Sequence, residues 1–538
     1  MATFDAQQST WTAGDVLHFA RRAGFGLKPE EAATLALQSP AAVVDAWVDA
    51  TADPSAFLAA RATADVCDHP WEQTPRWAPM PYALTVERDH GLGDAQGAWA
   101  WRMHYSPNPL QERLALFFHQ LFATGYTKTD NIALTVKQLD LFRSPVARGP
   151  FGDLLVKMAQ DPAMLIWLDT EDNVIANPGD VPNENFAREL MELYSLGVDN
   201  GYSQADIREL AKAFTGWRYL RRSFPDPANP YYFNDAEFFI YHGQTNPEPG
   251  HPDLGDGPTV ENYRLSGTAT VFGQTLDLGA GSHYGEDFIR LILTQRSAAC
   301  AQFLAKRLLR FFVAAEPPAG VQSDFAALIQ AKGFHIGNIL KALFKSAYFF
   351  DPAHRFALVE GPVTWFVRAV RALNPDLATA SAPLASGGMP RYPGWRDFLG
   401  YDSSGFARMG QNLLDPRGPN GWKDHDRWLN SDSYRGRTRA AWALAMKEQR
   451  GEDHLNVTRY HFDTRIAEWF PTAPASPTAV FDRLVALLQP APIPSALRDA
   501  WLARIWTGPF AWDGSAQTED RVRRTAFLIL CAPEAQLF

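Results

Sequence analysis

Between Asn183 and Trp217 the chain concentrates carboxylates, a guanidinium and amides at helical spacing. Glu184, Arg188 and Glu192 stand four residues apart, so on a helix they share one arc and the guanidinium can bridge both carboxylates. Glu189 and Ser195 fall on the same side, and Asn183 and Asn185 flank the start. Paired carboxylates divide general-acid and general-base work when their surroundings separate their pKa values. The plainer outcome for this spacing is a solvated face with ion pairs worth about 0.3–0.5 kcal/mol each.

A second set lies on Leu110 to Ala123, a stretch apolar on most of its circumference and therefore expected inside the protein. It carries Glu112 and His119, seven residues apart. That spacing puts them on nearly one face but about 10 Å apart along the axis, too far to bond each other and suited to flank a ligand. The competing outcome is a satisfied core histidine and a Glu paired with an arginine from elsewhere. A polar and aromatic stretch, Pro419-Asn-Gly-Trp422 with Lys423 to Asp426 and Trp428 to Ser431, can line a cleft or anchor a surface loop. The expected catalytic groups are Glu112, His119, Glu184 and Glu192. Asn183, Asn185, Arg188, Glu189, Trp217, His242 and Trp422 are expected to bind.

The elements that must position these groups read as mainly helical. Helices are predicted over Gly14 to Ala23 with Gly24 as stop, and over Pro29 to Gln38, Ala41 to Ala50 and Pro150 to Gln160. Asn108-Pro109 opens the helix running to about Ala123, with Asn as N-cap and Pro in the first turn. Asn183 to Leu196 follows, then further helices across Gly285 to Leu373 and Tyr434 to Cys531. Residues 221–285, rich in Pro, Gly, Asn and aromatics, predict a small irregular or β excursion, with short strand-like runs at Phe238 to His242 and Thr268 to Leu278. Residues 374–393 read as a linker or long loop. The expected organisation is a main helical body over 1–373 and a C-terminal helical part over 394–538 packed on it.

Composition bounds the function. The 538 residues are 46% hydrophobic, ordinary for a folded globular chain. A net charge of -10 argues against a nonspecific grip on nucleic acid or anionic lipid, both of which need a basic face. Seventeen tryptophans fit a large helical core, and alternatively rings that stack on sugars. Cys67, Cys300 and Cys531 form no metal pair and no disulfide framework. Glu189-Leu-Met-Glu192 ends in Glu where a helical di-iron motif needs His, and His242, His251 and His283 lack ligand spacing, so no metal is expected. Phosphate-loop, dinucleotide and nucleophile-elbow motifs are absent, so no cofactor is expected either. The first residues lack a basic segment followed by an apolar run, and no run is long enough to span a bilayer; the expectation is a cytoplasmic protein without membrane insertion.

Several separated stretches together resemble the bacterial DUF1800 family of proteins of unknown function. They are His18-Phe-Ala-Arg-Arg-Ala-Gly-Phe-Gly26, Glu112-Arg113 with Phe117 to Thr124, Asn183 to Gly197, Ala213 to Trp217, Leu304 to Phe312, Asn420 to Trp422 and Ala532 to Gln536. Through the first of them His18 and Arg22 join the expected binding residues. The chain departs from the family pattern at Leu121 and Gly243, where the family often has a second His and an Asp; both departures weaken a metal or His-dyad idea. The resemblance implies a predominantly helical fold, no settled activity, and frequent export beside a DUF1501-type partner carrying a twin-arginine signal. Periplasmic or exported location with such a partner is therefore the alternative to the cytoplasm.

Two functions follow. One is an enzyme or binder of a polar, glycan-like substrate in a Glu/Arg/His cleft. The other is a non-catalytic helical partner protein whose polar residues fix helix pairing. Geometry separates them: either Glu112, His119, Glu184 and Glu192 open onto one cleft, or arginines such as Arg22, Arg113 and Arg188 fill that space.

Overall fold

The computed structural model describes residues 2–50, 88–219, 239–241, 264–278, 284–373, 405–422, 425–446 and 466–538. The fold is mainly α, as the periodicity predicts. Its helices start where short polar residues accept the orphan N–H groups of a first turn. Thr12 and Asp15 form a reciprocal capping box at Ala13–Ala23, and Ser203 with Asp206 does the same at Gln204–Ala213. Proline occupies the first turn of Pro40–Asp49, Pro109–Leu121 and Pro477–Leu488, where its missing N–H costs nothing. The β content among the described residues is two antiparallel pairs, Trp217–Tyr219 with Phe239–Tyr241 and Thr268–Val271 with Gln274–Asp277. They fall at the edges of, or within, the predicted excursion. No described helix is long and apolar enough to cross a membrane.

Several local expectations need correcting. Gly24 does not stop its helix by a left-handed turn; its φ is −151°, and Gly26, at φ +79°, takes that conformation. Gly24 is instead a close approach, since a Cβ there would sit 2.9 Å from the Pro109 side chain. The Asn108 side chain does not cap Pro109–Leu121, and that helix ends two residues early. The Asn183 to Leu196 stretch is α-helical only over Asn185–Glu189 and continues as a π-helix over Leu190–Ser195. There the Leu196 N–H donates to the Met191 carbonyl at 2.8 Å, a five-residue closure. Single π turns inside helices occur often at functional sites.

Two helices, Arg88–Tyr105 and Ile132–Arg143, carry no prediction at all. The first contains Gly91, Gly93 and Gly97, poor helix formers that hide its pattern. Both pack on Pro109–Leu121, and they decide the fate of Glu112.

One contiguous set of buried apolar side chains runs from Phe4 to Leu530. It takes in the fully buried Trp99, Trp101, Trp217, Trp365 and Trp469. C-terminal segments close on the rest of the chain: Val359 pairs with Leu537, and Gln489 Nε2 donates to the Leu27 carbonyl at 2.6 Å. The expected linker at 374–393, with its boundary, and most of the excursion, including His242, lie outside the described residues.

Candidate functional site

Pro109–Leu121 is buried on all sides except at Gln120. Glu112, fully enclosed, accepts hydrogen bonds from Trp99 Nε1 at 3.0 Å, Arg102 Nε at 2.9 Å and the Arg143 guanidinium at 3.0–3.1 Å. Burial alone would raise its pKa, but the Arg143 and Arg102 charges and their hydrogen bonds outweigh it and hold the carboxyl below its ordinary range. Such a group is an ionised structural pin without a spare lone pair facing a cleft.

His119 is equally enclosed, edge-on to Trp99 at 5.5 Å and to Trp422 at 5.1 Å. Its Nε2 accepts from the Leu414 N–H at 3.1 Å, and burial pushes its pKa down to about 3. It is therefore neutral, with one ring nitrogen already engaged.

The Glu184–Arg188–Glu192 arc is different. Arg188 Nη2 donates to Glu184 at 2.8 Å and Nη1 to Glu192 at 3.4 Å, with side chains 35%, 28% and 21% exposed for Arg188, Glu184 and Glu192. Gln204 Nε2 donates to Glu184 at 2.6 Å, and Arg208 approaches its other oxygen at 3.4 Å. Glu189, half-buried beside them, has no hydrogen-bond or ion-pair partner among the described residues. Burial first, and the neighbouring Glu192 charge second, raise its pKa, against the pull of Arg188. The arc thus combines an arginine-held pair of carboxylates with one unpaired, more easily protonated carboxyl. Asn183 and Asn185 shape its entry: Asn183 Oδ1 accepts from the Asn185 N–H at 2.9 Å, and Asn185 Nδ2 donates to the Leu168 carbonyl at 3.1 Å.

The pairs Glu112/His119 and Glu184/Glu192 occupy different environments, one sealed and one open. The two helical stretches meet at Phe122 and Tyr194, whose rings lie 5.4 Å apart, an apolar contact rather than a shared polar space. Of the remaining expected binders, His18, Arg22, Trp217 and Trp422 sit in the core. His18 Nε2 donates to the Phe349 carbonyl at 3.1 Å, and Arg22 donates to the His354 carbonyl at 2.6 Å and the Phe538 main-chain oxygen at 2.7 Å. Trp217 is fully buried against Phe214, and Trp422 is buried against His119.

A second opening was not expected from the sequence. On the helix Pro109–Leu121 the residues facing it are Arg113, Leu116 and Gln120, a different face from that of Glu112. Arg310, Thr364, Gln411 and His425 complete its polar lining, and no Asp or Glu lines it among the described residues. Behind it, the buried Arg21, Arg22, Arg113, Arg368 and Arg437 side chains share one carboxylate side chain, Glu360. Burial pushes the Arg113 pKa down to about 10. The signal was present in Glu112-Arg113: on a buried helix the Arg needs a partner as much as the Glu does.

Fold and sites define a mainly helical protein with a sealed ionic core, an acidic half-buried arc and a separate basic cleft. The chain belongs to the DUF1800 family, described as proteins of unknown function, whose model matches residues 18–537. No curated protein and no solved structure matches it.

Proposed function

We propose that this chain binds a polar, hydroxyl-rich ligand of the glycan kind at the acidic arc, with Glu189 as the group that meets it. The observation that carries this reading is the unpaired, half-buried Glu189 carboxyl beside the arginine-bridged Glu184 and Glu192. Leaving a carboxyl in that position costs free energy that a donor-rich ligand returns. The π turn that follows adds support, because such turns cost stability and are often retained for function. The tryptophan argument for sugars loses its footing, since Trp99, Trp101, Trp217, Trp365 and Trp469 fill the core. Glu112 and His119 serve this reading as structure and not as acid and base. Acid–base chemistry at the arc would fall to Glu189 as the proton donor, with the arginine-held Glu192 beside it.

The test is a binding and turnover screen of purified protein against neutral and acidic oligosaccharides, with Glu189→Gln in parallel. Binding lost in Glu189→Gln at unchanged stability supports the reading; equal binding by the variant removes Glu189 from it. A second reading, a helical partner for a DUF1501-type protein, is favoured by Val181 and Val198, which are 81% and 62% exposed at the two ends of the segment carrying the arc. It carries with it export in company with a twin-arginine partner. Co-expression and co-purification of the pair, abolished by Val181→Asp with Val198→Asp, distinguishes it.

A further inference from the structure

We propose that the basic cleft on the Arg113 side of Pro109–Leu121 binds a small organic monocarboxylate. Arg113 is 3% exposed, and its Nε donates to the Arg22 carbonyl at 3.2 Å. Its guanidinium lies 4.6 Å from the Phe311 ring centre and 5.6 Å from that of Phe538. Among the described residues its two terminal amino groups donate no hydrogen bond, and it has no ion pair. A buried guanidinium beside two rings, with its fork unpaired among the described residues and lining a cleft, is an unfilled recognition group.

A neighbouring donor points the same way. Gln411 uses its carbonyl oxygen to accept from the Val363 N–H at 3.0 Å, which leaves its NH2 as the free end of that amide.

Charge and shape select the ligand. Arg310, the other arginine of the lining, is already ion-paired with Glu316, so Arg113 is the lining arginine without an ion pair among the described residues. That matches a monoanion better than a phosphate dianion. A planar carboxylate takes two parallel N–H bonds from one guanidinium. Leu116, Phe311 and Trp428 add apolar wall for a hydrocarbon or aromatic body. The cleft between them is small and open to solvent at its mouth, which limits the ligand to a small molecule. This site is independent of the arc and of the reading proposed for it.

The experiment uses the full chain and fluorine NMR of 4-fluorophenylacetate, with the neutral 4-fluorophenylacetamide and inorganic phosphate as comparators. The acid is expected to bind, the amide to bind at least about tenfold more weakly, and equimolar phosphate not to displace the acid. Arg113→Lys, which keeps the charge and loses the fork, is expected to weaken the acid about tenfold. Gln120→Trp, which crowds the mouth without touching the guanidinium, is expected to weaken it also. Absence of acid binding at ~10 mM overturns the proposal. So does equal binding of the amide, equal displacement by phosphate, or a Gln120→Trp variant that binds as wild type.

Discussion

Glu112 and Glu184 are both carboxylates gripped by arginine, and the molecule treats them in opposite ways. Glu112 is sealed, accepting from Arg102, Arg143 and Trp99 inside the core, while Arg143 also reaches Asp140. Glu184 shares Arg188 with Glu192 at a surface where each side chain keeps a fifth to a third of its exposure. The same residue types therefore make a structural pin in one place and an open polar arc in the other. Chemistry needs a group that can change its partners, and of these two places the arc retains one, Glu189.

The largest test of that difference is Glu112→Gln. It removes the buried carboxylate charge that Arg102 and Arg143 share, and a broken buried pair costs about 3–5 kcal/mol. Urea unfolding should show that loss; a midpoint equal to wild type would mean that Glu112 pins nothing, and the contrast with the arc would fail.

Next in size is the acid sensitivity of His119. Its folded pKa, about 3, lies below the ordinary 6.5, so the folded state resists protonation. The stability it contributes is complete above pH 6.5 and is lost progressively as pH falls toward 3. His119→Gln keeps an acceptor for the Leu414 N–H and cannot take a proton. It should therefore lose less melting temperature than wild type between pH 7 and pH 5, measured in equal salt. Parallel losses in both proteins would place the acid sensitivity elsewhere, with His18 and His104, whose pKa values burial also lowers, as the next candidates.

These two residues show what could be read in the sequence. The helix Pro109–Leu121 and its burial were legible, because Leu110, Leu114, Phe117, Phe118 and Leu121 leave little polar surface. What seals Glu112 was not, because Arg102 and Arg143 come from helices whose patterns are weak: one is interrupted by glycines, and the other mixes Thr135, Lys137 and Gln138 among its apolar positions. A burial pattern tells that a Glu needs a partner without telling which one arrives. The arc was legible as an i,i+4 ladder, since both ion pairs are local. Its π turn was not, because Leu190–Ser195 has the composition of an ordinary helix. The basic cleft escaped notice because its lining comes from Arg113, Arg310, Thr364, Gln411 and His425, far apart in sequence.

A smaller effect is expected at Arg188. It is 35% exposed and its two ion pairs are partly solvated, so Arg188→Ala should cost about 1 kcal/mol, between a surface pair and a buried one. A loss as large as that of Glu112→Gln would make the arc a second structural pin and erase the comparison.

The smallest effect on stability, and the most telling for function, is expected at Glu189. Its pKa is raised by burial and by Glu192, so the folded chain holds its proton more tightly than the unfolded chain does. Whatever stability the protonated group contributes is complete below the ordinary Glu pKa of about 4.3 and is lost as pH rises through the higher folded value. Glu189→Gln keeps the neutral form at every pH. It should match wild type at acid pH and be slightly more stable at pH 7, by less than about 0.5 kcal/mol given the partial exposure. A residue whose removal stabilises the fold is held there against the fold's own interest, as expected of a group that meets a ligand. Melts of the two proteins at pH 4 and pH 7 decide it. If Glu189→Gln is instead clearly less stable at pH 7, the carboxylate is holding the arc together, and the open arc joins Glu112 as structure.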